Sequence, residues 1–218
     1  MAKDAILCLD GSLGTFSCAL LFEGNSHVRS APGDRALEHG LDEIATLLAQ
    51  GGCTGEDIAR IGVTVGPGSF TGLRIAISYA KSLALAWQCE LAGISSFDVL
   101  DYGIDATPRA TFISPKRGIA SMRTISRDAE VSRASAPTAD LGVALAEQFD
   151  GQSLSLNGAP EDVLAALGER GISVHSVNSP TSPPLALLAL TSAAQASALH
   201  AVRADYGELA PAKLPARR

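Results

Sequence analysis

Long apolar runs are missing from this 218-residue chain. The longest, Leu83 to Trp87 and Leu185 to Leu190, fall far short of the roughly 20 residues a bilayer crossing requires. No membrane span is expected. The N-terminus, MAKDAILCLDGS, carries acids at Asp4 and Asp10 and too short an apolar core for a secretory signal, so a cytoplasmic location is expected. Cysteine is sparse: Cys8, Cys18, Cys53 and Cys89 are widely spaced and form no Cys-x-x-Cys, which reads as buried, reduced thiols. Histidine is sparse too. His27, His39, His175 and His200 stand singly, with no His-Glu-x-x-His, so no protein-built metal site is expected. Positive charge is in deficit: the net charge is -6, which disfavours a surface that grips nucleic acid by itself.

What is present is apolar patterning, 46% of residues being hydrophobic, enough for one large core or two modest ones. Ala5 to Leu9, Phe16 to Phe22 and Ser26 to Ser30 read as a meander of three strands, joined at Asp10-Gly11-Ser12 and Glu23-Gly24-Asn25. Leu37, Leu41, Ile44 and Leu48 share one helical face, predicting a helix over 34–50 that Gly51-Gly52 closes. Ile61 to Val65 predicts a buried strand, followed by a loop and a helix over 71–88. A strand at Leu91 to Ile94 and a short helix from Phe97 to Tyr102 follow, and IDATPR marks a domain boundary near residue 105. The domains expected are 1–105 and a smaller 106–218. In the second, strands are predicted at Ala110 to Ile113, Ile119 to Ile125, Ser153 to Leu156 and Ile172 to Val177. Helices are predicted at Ala139 to Phe149 and Ala159 to Arg170. A final helix over 185–202 is expected to pack back on the first domain. No repeat is visible in the letters.

Two segments carry the candidate chemistry. Gly66-Pro67-Gly68-Ser69-Phe70-Thr71-Gly72 joins a buried strand to a helix N-terminus, where free amides and the helix dipole favour an anion. A Walker loop would end in Gly-Lys-Ser/Thr, which is absent. A dinucleotide fingerprint would want an acid after the next strand, where Ser95-Ser96 stands. The competing reading is a tight turn in which Gly66, Gly68 and Gly72 supply close packing. After the loop, Ala76, Ala80 and Ala84 recur every four residues, so another helix could approach closely; ordinary packing on the protein's own sheet is the alternative. The other segment is Asp10-Gly11-Ser12-x-x-Thr15, the arrangement in which actin-like ATPases cradle phosphate and magnesium. Its counterpart at Ala110 to Ile125, FISPKRGIASM, lacks the second aspartate.

Ile6 to Ser12, Phe16 to Leu20, Glu38-His39 and above all GPGSFTGLRI at 66–75 together resemble the TsaB family, also called YeaZ. Past residue 105 the chain departs from it. Ser114 to Ser121 stands where the family has Asp-Ala-Arg-x-Gly-Glu-Val-Tyr, and Ala204 to Glu208 replaces Pro-x-Tyr-Leu-Arg. The resemblance implies an α/β actin/Hsp70-like (ASKHA) fold of two ribonuclease-H-like domains with mixed sheets. It further implies a protein without catalysis of its own that works beside its paralogue TsaD, which threonylcarbamoylates the adenosine next to the anticodon of ANN-decoding tRNAs, with TsaE as a third component.

On that reading tRNA is met only through the complex, the chain alone forms a homodimer, and no ATP or magnesium is held unless shared with TsaD. The expected docking residues are Leu41, Ile44 and Leu48 on the first helix, and Phe70, Leu73, Arg74, Ile77, Ala80, Lys81 and Ala84 on the second. Asp10, Ser12 and Thr15 are then a nucleotide-binding remnant. The alternative is an active ATPase or phosphotransferase using Asp10. A peptidase is disfavoured, since there is no Cys–His pair, no Gly-x-Ser-x-Gly and no zinc motif.

Overall fold

The computed structural model describes residues 4–32, 36–127 and 129–207. Alternating apolar residues build the first sheet. β1 (Ala5–Asp10) pairs antiparallel with β2 (Thr15–Phe22), which pairs with β3 (Asn25–Pro32). After α1 (Ala36–Gln50), β4 (Ile58–Gly66) adds parallel to β1, and after α2 (Phe70–Trp87), β5 (Glu90–Ser95) adds parallel to β4. The order is β3-β2-β1-β4-β5. Period-two alternation splits its side chains. Leu7, Leu9, Ile61 and Val63 join the cluster that includes Ile44 and Leu47 of α1 and Leu73, Ala76 and Ala80 of α2. Cys8, Ala19 and Ala92 join another cluster, with Val99 of α3 (Ser96–Asp101) and residues from far along the chain.

The second sheet repeats this plan. β6 (Arg109–Lys116), β7 (Ile119–Ser126) and β8 (Ala129–Pro137) form an antiparallel meander. α4 (Thr138–Gln148) then leads to β9 (Leu154–Asn157), parallel to β6, and α5 (Glu161–Glu169) to β10 (Val174–Ser176), parallel to β9. The order β10-β9-β6-β7-β8 matches the first sheet element by element. Both units are ribonuclease-H-like, and the fold is the two-domain actin/Hsp70-like α/β class expected from the resemblance.

Three expectations need correction. β8 was not anticipated, because AEVSRASAP is poor in β-branched and aromatic residues; pairing along β7 forms it regardless, with Ala134 and Ala136 packed on the core. The predicted strand 172–177 contracts to Val174–Ser176. The predicted 185–202 helix is α6 (Pro183–Ala193). Arg60 of β4 donates to the carbonyls of Thr191 (3.1 Å) and Ala194 (2.7 Å), taking up acceptors that a helix end leaves open. Beyond it the chain is irregular, with a turn closed by Ala201 N–H donating to Ala198, and it is tied to the sheet by Ser197 N–H donating to Leu91 and Asp205 N–H to Val65.

Contacts divide the chain into two units, one running to Ile104 and including Asn178–Asp205, the other comprising Asp105–Val177 and Tyr206 onward. α6 thus belongs to the first unit. Its Ala186, Leu187 and Leu188 are buried beside Cys8 and Ala19, and Thr191 fills the space a side chain at Gly62 would need. Among the described residues no helix is long and apolar enough to cross a membrane.

None of the four cysteines is in a disulfide. Burial pushes Cys8 from 9.0 up to about 12, and burial with the nearby Glu43 carboxylate pushes Cys18 up to about 12. A folded pKa above the unfolded one means stability that is whole below about pH 9 and lost as pH rises toward 12. Each thiol contributes at most about 1.4 kcal/mol per pH unit in that window. Urea melts between pH 8.5 and 11.5 are expected to show this slope, and Cys8→Ala with Cys18→Ala to flatten it. An unchanged slope in the double variant would refute the assignment.

Candidate functional site

The glycine loop closes on backbone. Gly66 sits in the left-handed region, φ 112°, and a Cβ there would collide with the Asp205 carbonyl. A Cβ at Gly68 would lie 2.5 Å from the Ser12 carbonyl oxygen. Gly11 and Gly72 interlock: a side chain on either would run into the other's carbonyl oxygen. Three amides of the loop and the first helical turn are bonded within the protein. Ser69 N–H donates to the Ser12 carbonyl (2.8 Å), Gly72 N–H to Ser69 Oγ (3.3 Å) and Leu73 N–H to the Ser69 carbonyl (2.9 Å). Ser69 is therefore the N-cap of α2, and the loop packs as a turn.

Asp10, at the end of β1, is 3% exposed. Its Oδ1 accepts from Ser12 N–H (2.8 Å), Ser12 Oγ (2.7 Å) and Thr64 Oγ1 (2.6 Å). Asp10 and Ser12 are brought together as the sequence suggested. Thr15 is not: it opens β2 opposite Pro32 and is exposed. Thr64 takes its place. The signal for Thr64 was a hydroxyl interrupting the apolar run Val63-Thr64-Val65 directly before the signature loop.

The helices sort the remaining candidates. On α2, Leu73, Ile77, Ala80 and Ala84 are buried in the first unit's own core, and on α1 Ile44 is buried there, with Leu48 packed against it. These inward positions cannot face a partner in the folded chain, which corrects the sequence expectation: the alanine stripe lets α2 sit close on its own sheet. The outward face of α2 carries Phe70 (56% exposed), Arg74, Ser78, Ser82 and Leu85 (69% exposed), with Lys81 half-buried. Arg74 lies over the Phe70 ring, 5.1 Å from its centroid, a cation–π contact. α1 presents Leu41, 50% exposed. Tyr79 meets Phe16 edge-on at 6.0 Å, packed where Gly40 leaves room between α1 and α2. His39 is exposed beside Asp42, at 3.8 Å. Asp34 lies outside the described residues, as do the side chains of Leu37 and Glu38.

At the far end of α2, Thr54, Gly55, Glu56, Asp57, Ala86, Trp87 and Gln88 line an open groove of about 960 Å³. Hydrogen bonds from the Thr54 hydroxyl and amide hold the Asp57 carboxyl below its ordinary value. Among the described residues, no three His, Cys, Asp or Glu side chains are grouped to hold a metal ion.

Residues 36–117, from α1 to the end of the first hairpin strand of the second sheet, match the family model of TsaD, tRNA N6-adenosine threonylcarbamoyltransferase. Over 100 residues the chain is 32% identical to the tRNA threonylcarbamoyladenosine biosynthesis protein TsaB of Escherichia coli strain K12, covering 45% of this chain and 43% of that protein. The TsaB of Buchnera aphidicola subsp. Schizaphis graminum is 31% identical over 101 residues, 45% of this chain and 47% of that one. Over that stretch the chain is similar to TsaB proteins. Its match spans less than half the length of these TsaB relatives. The fold likeness extends further: YeaZ from Pseudomonas aeruginosa superimposes with a TM-score of 0.70 over 94% of this chain and 100% of that one, at 22% identity.

Proposed function

We propose that this chain is a TsaB-family partner without catalysis of its own that binds and activates TsaD. It would serve threonylcarbamoylation of the adenosine adjacent to the anticodon in ANN-decoding tRNAs, in the cytoplasm, with TsaE joining the complex and tRNA reached only through it. The observation that carries this reading is the closed glycine loop beside exposed side chains on two helices, Leu41 of α1 and Phe70, Arg74 and Leu85 of α2. Aromatic and arginine side chains are enriched at interfaces, and the exposed leucines add apolar area to bury. The ATPase alternative is disfavoured, because Asp10 Oδ1 already accepts three hydrogen bonds and amides at the start of α2 are bonded within the protein.

The test is co-purification with TsaD from the same genome, and tRNA modification assayed with each chain alone and together. Activity that needs both chains supports the reading; full TsaD activity without this chain refutes it. Leu85→Arg and Phe70→Asp change exposed side chains and are expected to keep the fold. Each should weaken TsaD binding about tenfold or more and, since the same face serves the proposed homodimer, give monomers by light scattering. Wild-type affinity in both variants would place the interface elsewhere. Ala80→Arg would not test this, since Ala80 is fully buried and the change reports on folding.

A further inference from the structure

Three side chains of the first unit, Asp10, Ser12 and Thr64, have no part in a docking face as described so far. They nevertheless form a continuous bonded path to it. Thr64 on β4 donates to Asp10 Oδ1, and Ser12 donates to the same oxygen through both its amide and its hydroxyl. The Ser12 carbonyl accepts from the Ser69 amide, and Ser69 Oγ accepts from Gly72 N–H at the start of α2. The residues directly after Ser12 and Ser69 are Leu13 and Phe70, two of the large apolar side chains this unit exposes. Both are carried on short backbone segments that bond to each other, and the Ser12 segment also bonds to a buried carboxylate.

A buried network of this kind fixes geometry when every member is satisfied and loosens when one donor is removed. The Gly11–Gly72 and Gly68–Ser12 contacts leave no slack for the two segments to slide. We propose that Asp10, Ser12 and Thr64 are positioning residues, which hold Leu13 and Phe70 in fixed relative placement for the TsaD surface. The place that a nucleotide-binding relative would use for phosphate serves here to aim a protein contact, and Leu13 joins the docking surface. This inference rests on the docking reading above.

Thr64→Val keeps the side chain's size and removes the donor. The expected result is a dissociation constant for TsaD raised about tenfold, measured by calorimetry at a temperature where both proteins are folded, with faster amide exchange at Ser69, Gly72 and Leu73. Thr64→Ser is expected to restore affinity. Leu13→Ala should weaken binding similarly. Val163→Ala, in the core of the second unit, is expected to lower the melting temperature without changing affinity. If Thr64→Val does not fold, Ser12→Ala carries the same test, since it removes one of the three donors. Wild-type protein that fails to bind TsaD overturns the docking reading and this inference with it. Wild-type binding retained in Thr64→Val or Ser12→Ala, with only the melting temperature lowered, overturns this inference and leaves the docking reading standing.

Discussion

Gly72→Ala is expected to destabilise the first unit severely. The new Cβ would be driven into the Gly11 carbonyl oxygen, and its nearest obstacles are backbone atoms rather than the yielding end of a long side chain. Gly11 cannot retreat, because its neighbour Ser12 is bonded through Asp10 to β4 and through its carbonyl to Ser69. Relief requires moving the start of α2, which carries the buried Leu73 and Ala76. A loss of about 4 kcal/mol or more is expected, within the range reserved for steric conflict in a core and a large part of a total near 5–15 kcal/mol. At about 2–4 °C per kcal/mol for a chain of this size, the melting midpoint should fall by about 10 °C or the protein should not accumulate. Gly168→Ala is the control. It lies in α5 with open space around it, so alanine there should be neutral or stabilise by about 0.5–1 kcal/mol. A Gly72→Ala protein melting within a degree of the wild type would refute the interlock.

Ending the chain at residue 177 is expected to be as damaging, although it removes nothing from the signature region. α6 supplies Ala186, Leu187 and Leu188 to the cluster over Cys8, Ala19 and Ala92, and Thr191 to the space over Gly62. Each large side chain buried there contributes about 1.5–3 kcal/mol. Removing them also uncovers Ile94 and Val99, so the deficit approaches the whole stability of the unit. The fragment is expected to bind a hydrophobic dye and to lose near-ultraviolet dichroism while keeping much of its far-ultraviolet signal. A 1–177 fragment with native dichroism and a sharp thermal transition would show that α6 is dispensable. Arg60 offers a milder form of the same experiment, because its guanidinium joins Glu90 to the last carbonyls of α6.

Much of this was legible in the letters. The strands of the first meander alternate or run apolar and end at glycine turns, and α2 shows its inward stripe of Leu73, Ala76, Ile77, Ala80 and Ala84 as a period of 3.6. The matching plan of the second unit was harder to see. β8 is built of alanine, serine and charge, and its strand state comes from the free edge of β7 rather than from its own propensity. Thr15 and Thr64 show the same limit at the site. Thr15 is close to Asp10 in sequence, whereas Thr64 is 54 residues away and reaches the carboxylate because β4 lies beside β1.

Local patterning by itself determined the elements of the first unit, the place of the glycine loop and the motif that carries the family resemblance, which in turn implied the fold class, because turns, periodicity and a dense motif depend on neighbours along the chain. Tertiary structure alone decided which face of α2 is outward, whether the loop amides are open to an anion, and which unit claims α6. Those depend on backbone segments tens of residues apart competing for the same space and the same hydrogen-bond partners. Such competition leaves no periodic trace in the sequence.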